Sequence, residues 1–251
     1  IKTNHSFNTK DFEFLISEIF SKHKFDNVHL INCIVSSYLD NSKFISNKAS
    51  KLIFNKSNTD NLIINYLKKK IIYEEKRLKK KFILEINKDS NDEKEKILNF
   101  FINEKYKQLE RTSAWNYLAF KEYKKYIYDL LEFDQKHLCF SCLKIDNKII
   151  SSHIGYKFNN CYYYIFPVYD LNYKKYSPGN ILLSRLIENY KHNKFRAFDF
   201  TVGDEVYKNK LNNFITYTYE YISYNKFLGI FYYLKIKLKK MIKLLILKKN
   251  L

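Results

Sequence analysis

Glycine and proline are scarce in this chain of 251 residues, which contains four glycines and two prolines. These two residue types collect where the backbone needs unusual torsion angles or a close approach to another group. Two of the glycines and both prolines lie between Tyr162 and Lys208. This stretch of the chain is therefore expected to contain a functional site.

Long apolar runs are also missing. The sequence has no apolar stretch of the roughly 18 residues that a membrane-spanning helix requires, and no signal peptide can be read from it. Because the first residue is Ile1, the chain is expected to be a fragment of a longer protein. Its hydrophobic share of 46% is sufficient for a packed core, so a globular fold is expected rather than disorder.

Acidic residues are outnumbered: there are 26, against 45 lysines and arginines, which gives a formal net charge of +19. Such a charge is typical of proteins that bind nucleic acid. However, no acidic residue follows Glu220, and the lysines beyond it supply eight of these charges. The abundance of lysine, asparagine, isoleucine, tyrosine and phenylalanine is also typical of a compositionally skewed genome. Nucleic-acid binding is therefore not expected.

The chain has four cysteines, of which Cys139 and Cys142 form one C-x-x-C pair. No second cysteine or histidine pair stands at the spacing of a zinc site. The pair lies in an apolar, strand-like run, where residues three apart face opposite sides of a sheet. We therefore predict core thiols in a reducing compartment and no metal site.

The pattern along the chain predicts three regions. Residues 1–56 are interpreted as the remnant of a preceding N-terminal unit, with a helix over 9–23 and a strand over 27–31. The Ser- and Asn-rich residues 41–50 interrupt this pattern, as a loop does. Residues 57–225 form the main domain, and residues 226–251 form a C-terminal helix.

The main domain has a clear order of elements. Two short turns, Asp146-Asn147-Lys148 and Asn159-Asn160, are typical of hairpins and connect three antiparallel strands. The expected fold class is mixed α/β, with a central, mostly antiparallel sheet flanked by helices. The predicted elements are helix 59–81, strand 82–86, helices 91–111 and 117–133, strands 137–145, 149–158 and 161–168, helix 178–192, strand 196–200, helix 204–211 and strand 214–223.

The start of helix 178–192 has the composition of an anion site. Pro178 suits the first helical turn, and Ser177 can cap the exposed N–H groups. Gly179 allows a ligand to approach the backbone, and Asn180 follows it. A helix start without obstructing side chains binds phosphate or diphosphate. An ordinary capped helix is the alternative interpretation.

Two motifs carry a resemblance to a known family. The first is Pro178-Gly179 at a helix start after a tyrosine-rich strand, and the second is the run 198–208, FDFTVGDEVYK. Together with the order of elements, they resemble the GNAT acyltransferase superfamily, in the branch of the CelD-like (cellulose-biosynthesis) acetyltransferases. The usual Gly-x-Gly phosphate loop is reduced here to one Pro-Gly. The resemblance covers residues 57–225, about two-thirds of the chain.

The resemblance implies acetyl-CoA or another acyl-CoA as co-substrate, with its diphosphate at Ser177–Asn180 and no metal. It also implies a small-molecule acceptor, such as a sugar or an envelope polysaccharide precursor, and a cytoplasmic location. Fem-type peptidyltransferases are similar in fold but take aminoacyl-tRNA, so a Fem-like transferase is one alternative. A non-catalytic GNAT-like module that docks at a membrane is another.

The acidic turn after strand 196–200 supplies candidate catalytic groups. Asp204 and Glu205 can orient an acceptor, Tyr207 can protonate the leaving thiolate, and Lys208 can bind a phosphate. Asp199 lies between two phenylalanines that point to the other face of the sheet, so it is expected to aim at the cleft. Asp204 is also a good helix cap, and Lys208 its ordinary i,i+4 partner.

Three further residues complete the candidate site. His153, in a central strand, can act as a base near neutral pH or be an ordinary hydrogen-bonded sheet histidine. Trp115 and Arg111, at the end of the preceding helix, can close over a sugar ring, although a packing role is equally expected.

The tail Lys226–Leu251 is predicted to form a basic amphipathic helix, because apolar residues follow one helical face and lysines another. Such a helix suits the anionic inner surface of a membrane. Packing on the domain or on a partner is the alternative.

Overall fold

The computed structural model describes residues 9–22, 27–33, 44–55, 59–86, 91–134, 136–224, 227, 229–236 and 238. Short 3₁₀ helices lie at Tyr117–Ala119 and Leu171–Tyr176. The helices and strands are α1 (Thr9–Lys22), β1 (Asn27–Cys33), β2 (Phe44–Ile53), α2 (Thr59–Leu78), β3 (Ile83–Ile86), α3 (Asn91–Arg111), α4 (Lys121–Phe133), β4 (Leu138–Ile145), β5 (Lys148–Phe158), β6 (Cys161–Tyr169), α5 (Pro178–His192), β7 (Ala197–Val202), α6 (Val206–Leu211) and β8 (Phe214–Tyr224).

The chain divides into two compact units, one formed by Ser50–Ile215 and the other by Ile1–Ala49 with Thr216–Leu251. In the larger unit the strand order is β2-β7-β6-β5-β4-β3. Strands β3 to β6 pair antiparallel, whereas β6 and β7 pair parallel. The sheet is thus mixed and mostly antiparallel, with helices against it, as the sequence predicts.

Two tight turns set the register of the antiparallel strands. Asp146 and Asn147 have φ of 47° and 65°, and Asn159 and Asn160 have φ of 48° and 57°. Two consecutive residues with positive φ are typical of the turns that join hairpin strands, and Asn and Asp tolerate this conformation. Both predicted hairpins are confirmed.

The sheet of the larger unit is packed on both faces. One apolar cluster joins α2 and α5 to the sheet and contains Cys139, whereas a second joins α3 to the sheet and contains Cys142. Both are thiols rather than disulfide sulfurs, and both are fully buried. The prediction that these cysteines are core residues on opposite faces is therefore confirmed.

Two ion pairs hold α2 against α5. Lys191 Nζ lies 2.7 Å from Asp60 Oδ2, and the Arg185 guanidinium lies 3.2 Å from Glu75 Oε1. Asp60 begins α2 while Lys191 ends α5, so the two helices run antiparallel over the same face of the sheet. Asp60 and Glu75 are buried, and pairing is what makes buried carboxylates tolerable. These contacts place the start of α5 at a fixed position on the sheet.

Two boundary predictions are wrong. Residues 41–50 were expected to be irregular, but Phe44–Ile53 forms β2. The alternation is present at Ser50, Leu52 and Phe54, all buried, yet the polar run Ser46-Asn47-Lys48 before them and Lys51 among them hide it. The helix expected over 117–133 is a 3₁₀ helix followed by α4, with Phe120 extended between them.

The smaller unit contains α1, and β1 pairs antiparallel with β8. The chain is helical again at residues 229–236, where Phe231 and Leu234 are exposed. Most of the predicted basic helix, Lys226–Leu251, lies outside the described residues. Among the described residues, no helix has the length and apolar character needed to cross a membrane.

The packing of Tyr162 generates a first testable prediction. A Cβ at Gly155 would lie 2.5 Å from Tyr162 Cζ and 2.7 Å from His153 Cε1, both in the sheet interior. Gly155→Ala is therefore expected to lower the free energy of unfolding by about 2 kcal/mol or more, measured by urea denaturation. Gly179→Ala is the control, because its Cβ would make an ordinary 3.4 Å contact with Tyr169. Equal stability of both variants would contradict this account.

Candidate active site

A gap opens between the parallel strands β6 and β7. They pair over three residues each, Cys161–Tyr163 with Ala197–Asp199, although β6 continues to Tyr169 and β7 to Val202. The Thr201 hydroxyl donates to the Tyr164 carbonyl at 3.3 Å at the root of the gap. Beyond Tyr163 and Asp199 no further ladder pair joins the described residues of the two strands, so an extended ligand can enter between their facing edges.

A β-bulge contributes to this divergence. The register between β5 and β6 shifts between Ile154 and Gly155, which leaves Ile165 as an extra residue in β6. A bulge bends its strand and leaves one residue without a ladder partner. Here the Ile165 N–H donates to Nε2 of His153 at 3.1 Å, so a side chain replaces the missing backbone partner.

His153 is built into the sheet. With Nε2 accepting from the backbone, the Nδ1–H tautomer donates to the Tyr162 hydroxyl, 3.0 Å away. Its ring stacks on Tyr164 at a centroid distance of 4.1 Å. Complete burial holds the pKa of His153 well below its ordinary value, so the imidazole is neutral. Both ring nitrogens are engaged, and this geometry favours a structural role over that of a catalytic base.

The start of α5 is partly open. Ser177 adopts a left-handed conformation, with φ of 53°, and its side chain makes no capping hydrogen bond. The prediction that this side chain caps the helix is therefore wrong. Its carbonyl instead accepts from Asn180 and Ile181 at 3.0 and 3.1 Å. Pro178 has no N–H, and among the described residues no hydrogen bond is made by the Gly179 N–H. This N–H is available to an anion.

Asp199 faces away from the phenylalanines beside it, as predicted. Phe198 and Phe200 are fully buried against the α5 side of the sheet. The Asp199 carboxylate pairs with Lys51 Nζ at 2.9 Å and accepts from the Thr201 N–H at 2.8 Å. Asp199 is itself buried, so its charge is already balanced. Its predicted catalytic role remains a prediction.

The acidic turn after β7 is organised by Lys208, which is 3% exposed. Its Nζ donates to the Val202 carbonyl at 2.8 Å and pairs with Glu205 Oε2 at 2.9 Å. Gly203 has φ of 137°, and a Cβ there would lie 2.8 Å from the same Nζ. A side chain at position 203 would thus be strained and would collide with this contact. Lys208 holds the turn, and its ammonium group is already occupied.

Asp204 and Tyr207 are the two other candidate groups of this turn. Asp204 is accessible to solvent, and Tyr207 stays protonated. Asp204 is exposed and accepts from the Asn209 amide at 3.0 Å. It is not the helix cap: α6 begins at Val206 with Glu205 in the N-cap position. Burial and the neighbouring Glu205 charge raise the pKa of Tyr207. Its phenol therefore remains protonated at neutral pH and can donate a hydrogen bond.

Trp115 and Arg111 lie where α3 ends, and both are exposed. Trp115 is 66% exposed and belongs to an aromatic cluster, with Tyr123 edge-on at 5.5 Å and Tyr117 and Phe120 at 6.2 and 6.4 Å. An exposed group of aromatic rings can stack on a ligand ring. The predicted acceptor-binding role of the two residues stays a prediction.

Lys105 is a further candidate, although it was not among the predicted site residues. It lies on α3, with Nζ 5.8 Å above the ring of Phe166 in β6 and 3.0 Å from Gln108 Oε1. Burial lowers its pKa, and among the described residues no carboxylate pairs with it. Its position four residues after the buried Phe101 is the signal that could have identified it, since such residues share a helix face.

The turn generates a second testable prediction. Glu205→Gln leaves the buried ammonium of Lys208 without its carboxylate, so it is expected to lower the free energy of unfolding by about 1–3 kcal/mol. Asp204→Asn, an equivalent change at the neighbouring exposed residue, is expected to stay within about 0.5 kcal/mol. Thermal or chemical unfolding of both variants measures this difference. A larger loss in Asp204→Asn would contradict the assignment of Glu205 as the partner of Lys208.

Comparison with solved structures supports the fold. FemX aligns with a TM-score of 0.59 at 12% identity, covering 86% of this chain and 77% of that chain. A conserved protein of unknown function from Bacteroides thetaiotaomicron aligns with a TM-score of 0.54 at 13% identity, covering 86% and 74%. The C-terminal domain of a protein described as a lysylphosphatidylglycerol synthetase, from Agrobacterium fabrum, aligns with a TM-score of 0.53 at 8% identity, covering 86% and 67%. At these identities the likeness concerns the fold alone.

Sequence comparison identifies the family. No curated protein matches the sequence, but the family model described as "Acetyltransferase (GNAT) domain" matches residues 67–209. The match includes the gap between β6 and β7, the start of α5 and the acidic turn. Because it spans more than half of the chain, the protein belongs to the GNAT acetyltransferase-domain family.

Proposed function

We propose that this protein transfers an acyl group, most simply acetyl, from acyl-CoA to an amine or hydroxyl group of a sugar or envelope polysaccharide precursor. The observation that carries the proposal is the gap between β6 and β7, with the start of α5 at the same edge of the sheet. Ligands of α/β proteins bind at the carboxyl ends of parallel strands, in the crevice where neighbouring strands separate.

The start of α5 suits the diphosphate of the donor. The Gly179 N–H, which makes no hydrogen bond within the described structure, and the helix dipole both favour an anion. No side chain at position 179 obstructs the approach, and Asn180 is exposed beside it. The amide groups of an extended pantetheine chain can then pair with the free backbone edges of β6 and β7.

The acidic turn supplies groups for the transfer step. The acceptor nitrogen or oxygen attacks the thioester carbonyl and loses its proton, and the C–S bond breaks to release a thiolate. Tyr207 retains its phenolic proton and is assigned to protonate that thiolate. Asp204, exposed at the turn, is assigned to orient the acceptor and receive its proton. Glu205 and Lys208 hold the turn in shape.

The acceptor class rests on the resemblance to the CelD-like branch and on two features of α3. Trp115 and its aromatic neighbours form an exposed surface on which a sugar ring can stack, with Arg111 beside it. Lys105, on the face of the sheet opposite α5, presents beside Phe166 at the bulged strand an ammonium group that pairs with no carboxylate of the described residues. We assign it to bind an oxygen-rich group of the acceptor.

The location follows from the same proposal. Envelope precursors are assembled at the cytoplasmic face of a membrane, so peripheral association through the lysine-rich segment 226–251 fits such an acceptor. The described part of this segment exposes Phe227, Phe231, Leu234 and Leu238. These side chains can enter the boundary between headgroups and acyl chains.

A Fem-like transferase that takes its acyl group from aminoacyl-tRNA is the second candidate. The likeness in fold to FemX is the observation that favours it. The same gap and the same turn would serve the transfer step, and the two candidates differ in the donor. Donor binding therefore separates them.

Acetyl-CoA binding tests the proposal directly. Acetyl-CoA is expected to raise the melting temperature, because a ligand that binds the folded state stabilises it. Gly179→Asp is expected to keep the fold, since a carboxylate is favourable at a helix start, but to abolish the shift by repelling the diphosphate. Asn189→Asp places the same charge at the other end of α5 and should retain the shift. A shift with aminoacyl-tRNA and none with any CoA ester would reject the acyl-CoA proposal.

Lys105→Met tests the acceptor site. Because Lys105 is half-buried and no carboxylate in the described part of the chain pairs with it, this variant is expected to keep or raise the melting temperature. Its turnover is expected to fall by about tenfold or more, the effect of losing one charged contact with a substrate. Lys107→Met, on the same helix with its lysine paired to Glu104 at 2.7 Å, is the control. Unchanged turnover in Lys105→Met would remove it from the site.

A further inference from the structure

The outer face of α2 is strongly basic over its C-terminal half. Residues 61–81 contain eight lysines and arginines but only two acidic residues, and both acidic side chains are buried. Lys69, Lys76 and Lys79 are exposed, and no carboxylate among the described residues pairs with them. This face therefore presents cations whose charge is not balanced within the described structure.

A concave site of about 280 Å³ lies at the end of this face. It is lined by Ile72, Glu75, Lys76, Lys79, Lys80 and Lys81. The Glu75 carboxylate is already paired, because Lys81 Nζ lies 3.2 Å from Oε2 and the Arg185 guanidinium 3.2 Å from Oε1. The negative end of the helix dipole helps to hold the lysines of the lining together. The site thus carries a net positive charge and suits a phosphate group.

Apolar side chains are exposed among these cations. Ile72 is 51% exposed and Tyr73 is 62% exposed, and Lys76 is a helical neighbour of both. A surface that mixes lysines with aliphatic and aromatic side chains suits the boundary between the headgroups and acyl chains of a membrane. A nucleic acid would offer phosphates but no apolar layer to receive Ile72, so a lipid surface is the better partner.

The end of α2 lies at the edge of the sheet where the proposed site is built. Lys80 pairs with Asp146 in the turn that joins β4 to β5, and the Arg77 guanidinium donates to the Lys175 carbonyl. Lys175 belongs to the 3₁₀ helix that leads directly into α5. A membrane at this end of α2 would therefore lie near the start of α5.

We propose that the C-terminal half of α2 docks on an anionic membrane surface. A lipid phosphate lies at the lysine-lined site, and Ile72 and Tyr73 enter the boundary below the headgroups. The occupant is a phospholipid of net negative charge, because the cation of a neutral headgroup such as phosphocholine is repelled by the lysines. This surface is separate from residues 226–251, and it requires neither the donor nor the acceptor assigned above.

Co-sedimentation of the full chain with lipid vesicles tests the proposal. The chain is expected to bind vesicles that contain phosphatidylglycerol more tightly than vesicles of phosphatidylcholine alone, and to bind less as salt is added. Lys79→Gly is expected to weaken binding about fivefold, the effect of one lysine at an anionic surface. Lys79 has φ of 57°, which glycine adopts without steric cost. The melting temperature is therefore expected to stay the same or rise, so unfolding would not explain the loss.

Lys194→Gly is the matched control. Lys194 follows the end of α5 with φ of 59°, and its N–H and the next one accept the same roles as at Lys79, donating to carbonyls three and five residues earlier. The nearby Lys191 pairs with Asp60 at the start of α2, and a helix of 20 residues places that start about 30 Å from its end. The control thus makes the same change outside the proposed surface, and binding is expected to be unchanged.

Ile72→Gln separates docking on a lipid surface from binding of phosphate alone. It keeps the charge, and is expected to weaken vesicle binding about threefold because less apolar surface enters the membrane. Unchanged vesicle binding in Ile72→Gln or in Lys79→Gly, or equal losses in Lys79→Gly and Lys194→Gly, would overturn the inference. Vesicle binding lost only on replacing lysines of residues 226–251 would also overturn it, while leaving the association through that segment intact. Weaker RNA binding in Lys79→Gly with unchanged vesicle binding would reject the lipid surface in favour of nucleic acid.

Discussion

The short parallel pairing of β6 with β7 is the constraint on which the rest of the site depends. Three residues of each strand are held together, and beyond them the strands separate. The separation leaves backbone hydrogen-bonding groups without strand partners, which in a protein interior is costly unless water or a ligand satisfies them. It also places the ends of both strands beside the start of α5. One local break in a sheet thus creates the gap, its polar edges and its anion site together.

Several conspicuous polar residues stabilise this break. His153 satisfies the bulged N–H of Ile165, and Lys208 holds the turn after β7 through a backbone carbonyl and Glu205. Asp199, which is buried and pairs with the half-buried Lys51, lies at the last paired position of β7. Removing one member of such a buried contact is costly, because its partner keeps the desolvation penalty. A mutation at any of these residues will therefore affect folding and activity together.

The sequence predicted those elements whose pattern is local. Asn-containing turns indicated the hairpins. The Phe-Asp-Phe run placed the Asp199 side chain on the sheet face opposite Phe198 and Phe200. Both predictions depend on only a few consecutive residues. β2 was missed, since its buried face includes Ser50 and its pairing partners are distant in the chain. Lys105 was not predicted as a site residue for a similar reason: that no carboxylate of the described residues pairs with it is a property of the packed helix. The predicted pairing of Lys208 with Asp204 was also wrong. The i,i+4 spacing favours Asp204, whereas the positive φ at Gly203 turns the chain so that Glu205 pairs with Lys208.

A crystal structure of the protein with acetyl-CoA tests the central claim most directly. The account predicts density for the diphosphate against the Gly179 N–H, and for an extended pantetheine chain between β6 and β7 that ends near Tyr207. An acyl-CoA bound elsewhere, with β6 and β7 closed against each other beyond Tyr163 and Asp199, would contradict it.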